Sequence, residues 1–140
     1  MIDQLTVFLE NRTGHLASLT RAISDSGFNM HALYLADTAD FGVARILCDK
    51  PAEVKAMLVE RGFRAALTAV VAVRLADEPG SLATLLEHCD AKGLNVEYAY
   101  CFLGDGDHAI DVLKFDDGAA EEALRAGGFT LVTAEEIYLP

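Results

Sequence analysis

Two short stretches carry polar groups at a spacing that suits a small zwitterion. Asn11-Arg12-Thr13-Gly14 and Asp77-Glu78-Pro79-Gly80 each place a short oxygen-bearing side chain three residues before a glycine, just ahead of an apolar periodic segment. A turn that opens into a helix presents backbone N–H groups without intrahelical partners, backed by the positive end of the helix dipole. A carboxylate suits that position, and the glycine admits a ligand close to the backbone. The oxygens of Asn11 or Asp77 accept from an ammonium. The same residue types are also ordinary helix caps, and spacing alone does not separate the two roles. A second pair of signals, Gly27-Phe28-Asn29-Met30 and Gly93-Leu94-Asn95-Val96, reads either as bend chemistry or as part of the same site.

Both signals recur sixty-six residues apart, and so do Leu9/Leu75, Leu16/Leu82, Tyr34/Tyr100, Leu47/Leu113, Leu58/Leu124, Gly62/Gly128 and Phe63/Phe129. A period of this length marks one small module used twice. A half of that size buries only about 60% of its unfolded surface and is marginal alone. Shared surface between halves or between chains is therefore expected, in keeping with a hydrophobic content of 52%.

The elements that must position these residues follow from periodicity. Leu5, Val7 and Leu9 alternate as a strand, and Leu16, Leu19 and Ile23 recur at helical spacing up to Gly27. Residues 29–37 and 41–49 form the arms of a hairpin around Thr38-Ala39-Asp40. A helix from Pro51 ends before Gly62, and a strand begins near Phe63 or Arg64. The second copy repeats the order: strand 70–75, helix 82–92, hairpin arms 95–102 and 109–115 around Gly104-Asp105-Gly106-Asp107, helix 119–126, and an extended tail over 129–139. The spacing thus predicts βαββαβ twice, an α+β fold of two ferredoxin-like units with antiparallel sheets side by side and helices on one face. No linker separates the copies. Either a short strand closes the first or one long strand serves both, and the tail 135–139 is expected to add an edge strand.

The net charge of −11 disfavours nucleic acid and anionic membrane surfaces, which call for basic footprints. No apolar run reaches the ~18 residues of a membrane span. Met1-Ile2-Asp3-Gln4 lacks the layout of a secretion signal, and Cys48, Cys89 and Cys101 fit a reducing compartment. A cytoplasmic location is expected.

Leu9-Glu10-Asn11-Arg12-Thr13-Gly14, followed by Gly27-Phe28-Asn29-Met30 and Tyr34-Leu35, resembles an ACT domain, a small-molecule regulatory module attached to many enzymes of amino-acid metabolism. Asp77-Glu78-Pro79-Gly80-Ser81-Leu82-Ala83 with Gly93-Leu94-Asn95-Val96 resembles a second. The resemblance implies ACT domains at 1–67 and 68–140, with sheets that merge when domains pair. It also implies an amino-acid ligand at the seam between paired domains. On that analogy Asn11 and Gly14 face Asn95, while Asp77 and Gly80 face Asn29. Thr13, His15, Met30, Pro79, Ser81 and Val96 are the adjacent candidates. Thr13 stands where the family often has proline, and Asn11 and Asp77 differ in charge, so the two sites are not equivalent.

The implied function is a sensor of an amino acid or related metabolite, acting as a homodimer or on a partner enzyme, with no catalysis and no cofactor. No GxSxG, P-loop or HExxH motif is present. Two alternatives stay open: a ligand-independent interaction module that regulates an enzyme of amino-acid metabolism, and a metal-responsive sensor using His31, His88, Cys89 and Cys101. Asp105-Gly106-Asp107 matches only part of a calcium loop and reads as a turn. Arg45 and Asp111 stand at matched positions of the third strand by the constant offset.

Overall fold

The computed structural model describes residues 1–38, 40–104 and 106–138. Ala39 and Asp105, in the two expected hairpin turns, and Leu139, at the end of the expected tail strand, lie outside the described residues. The contacts divide the chain into two units, Asp3–Thr68 and Ala69–Pro140 with Met1–Ile2.

In the first unit β1 (Ile2–Glu10) leads through α1 (His15–Asp25) to the hairpin β2 (Met30–Asp37) and β3 (Phe41–Cys48). It closes through α2 (Pro51–Glu60) and β4 (Arg64–Ala76). The strands lie in the order β2-β3-β1-β4, with β3 antiparallel to both β1 and β2. Alternate residues Leu5, Val7 and Leu9 of β1 and Ala44, Ile46 and Cys48 of β3 face Leu19, Ala22 and Ile23 of α1 and Val54 and Leu58 of α2. The period of two on the strands thus meets the helical stripe on one face. Each fully buried Leu or Ile contributes roughly 1.5–3 kcal/mol through water exclusion.

The second unit repeats this with the last part of β4, α3 (Ser81–Ala91), β5 (Val96–Leu103), β6 (His108–Phe115), α4 (Ala120–Ala126) and the two-residue β7 (Thr130–Leu131). Val71, Val73 and Leu75 of β4 and Leu113 and Phe115 of β6 pack against Leu85 and Cys89 of α3 and Leu124 of α4. The question left open at the junction resolves as one strand of 13 residues, β4, which passes from one unit into the other.

Two expectations are corrected. The tail is not extended: after β7 the chain forms α5 (Ala134–Tyr138). Thr133 and Glu136 set up a reciprocal cap, with the Thr133 amide donating to Glu136 Oε2 at 2.7 Å and the Glu136 amide donating to Thr133 Oγ1 at 3.3 Å. That pairing fixes a helical turn.

The constant offset also fails in the third strand. Leu5 of β1 pairs with Ile46, but its counterpart Val71 pairs with Leu113. Ile46 therefore corresponds to Leu113 and Ala44 to Asp111, one residue beyond the gapless match. A one-residue slip moves a side chain to the other face of a sheet. Arg45 and Asp111 are thus not matched positions, and neither are Leu47 and Leu113. Arg45 lies opposite Thr6 and Tyr34, on the face away from the helices, while Asp111 lies opposite the core residue Val73.

Candidate functional site

Each corner forms where a strand ends and a helix must start within four residues. Gly14 and Gly80 occupy the position before α1 and α3 with φ of 91° and 93°. This left-handed conformation favours glycine. No side-chain cap bonds either helix, so the capping role open for Asn11 and Asp77 is overturned. Asn11 Nδ2 instead donates to the Thr38 carbonyl at 3.4 Å.

The two corners share the same backbone bonds. The amides of Asn11 and Asp77 donate across to Asp40 O (3.0 Å) and Asp107 O (2.7 Å). Those of Arg12 and Glu78 donate to Glu10 O and Ala76 O, both at 2.9 Å. The first intrahelical bonds are Ser18 to Gly14 O and Thr84 to Gly80 O, both at 2.9 Å. The amides one and two residues earlier have no i−4 carbonyl within the helix.

At the first corner the Arg12 Nε–H is shared between Glu10 Oε2 (3.3 Å) and His15 Nε2 (2.5 Å). Because Arg donates only, His15 Nε2 is the acceptor and Nδ1 carries the imidazole proton. Asn11, Arg12 and His15 line a cavity of about 50 Å³ with Leu35 and Asp37. At the second, Glu78, Pro79, Gly80 and Ser81 line one of about 340 Å³ with Leu75, Thr84 and Phe129. Asn11, Thr13, Gly14, Asp77, Pro79 and Gly80 are exposed, so both corners are open to a ligand.

Asn29 and Met30 stand at the start of β2, and Asn95 and Val96 at the start of β5. The Asn29 bend is held by a clamp that the sequence did not reveal. Its amide donates to Asp49 Oδ2 (3.3 Å), the Asp49 amide donates to its carbonyl (3.0 Å), and His31 Nε2 donates to Asp49 Oδ1 (2.7 Å). The His31 bond and the Asn29 amide hold the Asp49 carboxyl below its ordinary range despite opposing desolvation. With a depressed folded-state pKa, the clamp is present at neutral pH and is lost only as pH falls below that range.

Within one unit the corner and the Asn bend lie at opposite ends of β2. Asn11 touches Thr38, just past its last residue, and Asn29 precedes its first. Eight residues of strand span roughly 26 Å. One amino acid cannot touch both ends of the same unit.

The metal candidates stay apart. His31 is committed to Asp49, His88 Nε2 donates to the Ala123 carbonyl at 3.0 Å, and Cys89 is buried in the core. Among the described residues no three His, Cys, Asp or Glu side chains gather at metal-binding distance. Burial pushes the Cys48 thiol up to about 11, with Asp49 adding to the shift, and desolvation raises Cys89 as well. Both are core thiols rather than nucleophiles. Among the described residues no helix is long and apolar enough to cross a membrane.

The model of the ACT domain pair family matches residues 1–136, and the chain belongs to that family. The crystal structure of protein BT0572 from Bacteroides thetaiotaomicron is similar over 99% of this chain and 96% of its own, at 30% identity and a TM-score of 0.92. The ligand-free regulatory subunit of aspartate kinase from Thermus thermophilus matches over 90% of each chain, at 19% identity and a TM-score of 0.67. The corresponding subunit from Thermus flavus gives 19% and 0.58, over 90% of this chain and 91% of that one. At such identity the kinase subunits share the fold alone. No curated protein matches the chain.

Proposed function

We propose that this ACT domain pair is a regulatory sensor that binds a small amino acid or a related metabolite and catalyses no reaction. The observation that carries the reading is the duplicated corner, in which a left-handed glycine, the same backbone bonds and an oxygen-bearing side chain recur at Asn11 and Asp77. Main-chain amides receive the carboxylate, and the Asn11 or Asp77 oxygens receive the ammonium. Since a unit's own Asn bend lies a strand length away, each corner is completed by the bend of another unit, Asn95 for the first and Asn29 for the second. Thr13, His15, Met30, Pro79, Ser81 and Val96 shape the walls. Binding then alters association with a second copy or with a partner enzyme. The structurally similar Thermus proteins are regulatory subunits of aspartate kinase, which fits that mode of action.

A charged acceptor makes the stronger hydrogen bond to an ammonium, so the Asp77 site is the tighter. A thermal-shift screen against the twenty amino acids tests the reading, because a ligand at 100 times its dissociation constant adds about 2.7 kcal/mol. Asp77→Ala is expected to lose more affinity than Asn11→Ala. A larger loss in Asn11→Ala reverses the ranking. A melting temperature unmoved by every amino acid replaces the sensor with a ligand-independent interaction module.

A further inference from the structure

The first unit contains a concavity that needs no second unit to complete it. It encloses about 350 Å³ between the end of β1, the start of α1 and the α2–β4 turn, which is within the size range of small-molecule sites, roughly 300–1,000 Å³. Phe8, Phe41 and Phe63 supply aromatic walls, and Phe8 and Phe41 remain 47% and 59% exposed. Two guanidiniums, Arg61 and Arg64, stand on the same rim. The chain has 22 acidic residues to 11 basic, yet among the described residues neither arginine has an ion-pair partner. Arg64 lies over the Phe8 ring, 5.9 Å from its centroid, so one cation already marks an aromatic face. Glu10, the carboxylate on the wall, is engaged by Arg12.

The second unit supplies an internal comparison. By strand register and helix position, Phe8 is replaced there by Arg74, Phe41 by His108, Arg61 by Gly127 and Arg64 by Thr130, while Phe63 persists as Phe129. Its corresponding cavity lacks the guanidinium pair and keeps one aromatic wall of three, Phe129. The combination belongs to one copy and is not imposed by the fold.

We propose that this cavity binds a small aryl carboxylate. The carboxylate is received by Arg61 and Arg64, whose planar donors match its geometry, and the ring lies against Phe8, Phe41 and Phe63. The cavity borders the first sensor corner, with which it shares Leu9, Glu10 and His15, but all its walls belong to one unit and its ligand needs no ammonium.

Titration of the full chain with phenylacetate, followed by amide chemical-shift mapping, is expected to move residues 8–10 and 61–64 with one ligand per chain. Phenylacetamide, which lacks the charge, and acetate, which lacks the ring, are expected to bind about tenfold more weakly. Arg61→Ala and Arg64→Ala should each weaken phenylacetate about tenfold, while Lys92→Ala, a cation outside the cavity, should not. The proposal is overturned if millimolar phenylacetate leaves residues 8–10 and 61–64 unmoved. It is equally overturned if residues 75–84 and 129 respond to the same extent, or if folded arginine variants bind as the wild type does. Should either variant fail to fold, the wild-type ranking of the three probes decides alone. Melting of the same samples with amino acids that lack an aromatic ring reads the corner sites separately, so each reading can fail without the other.

Discussion

Asp111 sits on the helix-facing side of β6, directly between Val73 on β4 and Cys101 on β5. It is 6% exposed, and among the described residues it has neither a hydrogen-bond nor an ion-pair partner. Desolvation raises its pKa above 3.8. A carboxyl with a raised folded-state pKa destabilises the fold once ionised, so the penalty is absent below the unfolded-state pKa and complete above the folded-state one. The first unit has Ala44 at the same place, fully buried. Asp111→Ala is therefore expected to stabilise the chain at neutral pH by about 1–3 kcal/mol, the cost of an unpaired buried polar group. Urea unfolding checks this at neutral pH and again below the ordinary carboxylate range, where the gain should vanish. A loss of stability at neutral pH would mean that Asp111 has a favourable partner.

At the scale of elements, α3 and α4 are joined by one imidazole. His88, near the end of α3, donates Nε2–H to the Ala123 carbonyl of α4 and packs on Phe129, with ring centroids 5.2 Å apart. The ring fits only because residue 127 is glycine, since a Cβ there would stand 2.4 Å from two atoms of His88. The backbone at Gly127 is right-handed, φ −78°, so any alanine would adopt it without strain and the constraint is purely steric. Gly127→Ala is expected to cost about 1–3 kcal/mol by overpacking. In a His88→Ala background most of that cost should disappear, a coupling of about 0.5–3 kcal/mol in a double-mutant cycle. Additive losses in calorimetry would show that the two helices are not joined through this contact.

At the scale of the whole molecule, β2 and β5 are the outer strands of their units. Leu33, Leu35 and Leu103 on these edges are 42%, 43% and 78% exposed. Unpaired apolar edges invite strand addition, whereas a net charge of −11 opposes the approach of a second copy. We expect a homodimer that tightens as salt rises to about 0.1 M, where screening acts within roughly 10 Å. Sedimentation equilibrium at low and moderate salt measures this, and Leu35→Lys should shift the balance to monomer. A monomer at every salt concentration removes the dimer from the reading.

Periodicity and repetition by themselves determined the two βαββαβ units, the glycine corners and the core stripes. Strand alternation and helix spacing are local consequences of burying one face, and a left-handed glycine before a helix leaves its mark within four residues. The short helix α5 also has a local mark, because Thr133-Ala134-Glu135-Glu136 is a capping box, whereas the repeat register alone points to a strand there.

Only the tertiary structure decided the faces of Arg45 and Asp111. A single extra residue between β5 and β6 is invisible until strands pair, yet along β6 it moves each side chain to the opposite face from the one the constant offset assigns. The same holds for the His31–Asp49 clamp, the His88–Gly127 contact and the grouping of Arg61 and Arg64 with three phenylalanines. Each joins elements whose meeting depends on how sheet and helices pack, and packing distances leave no period in a sequence.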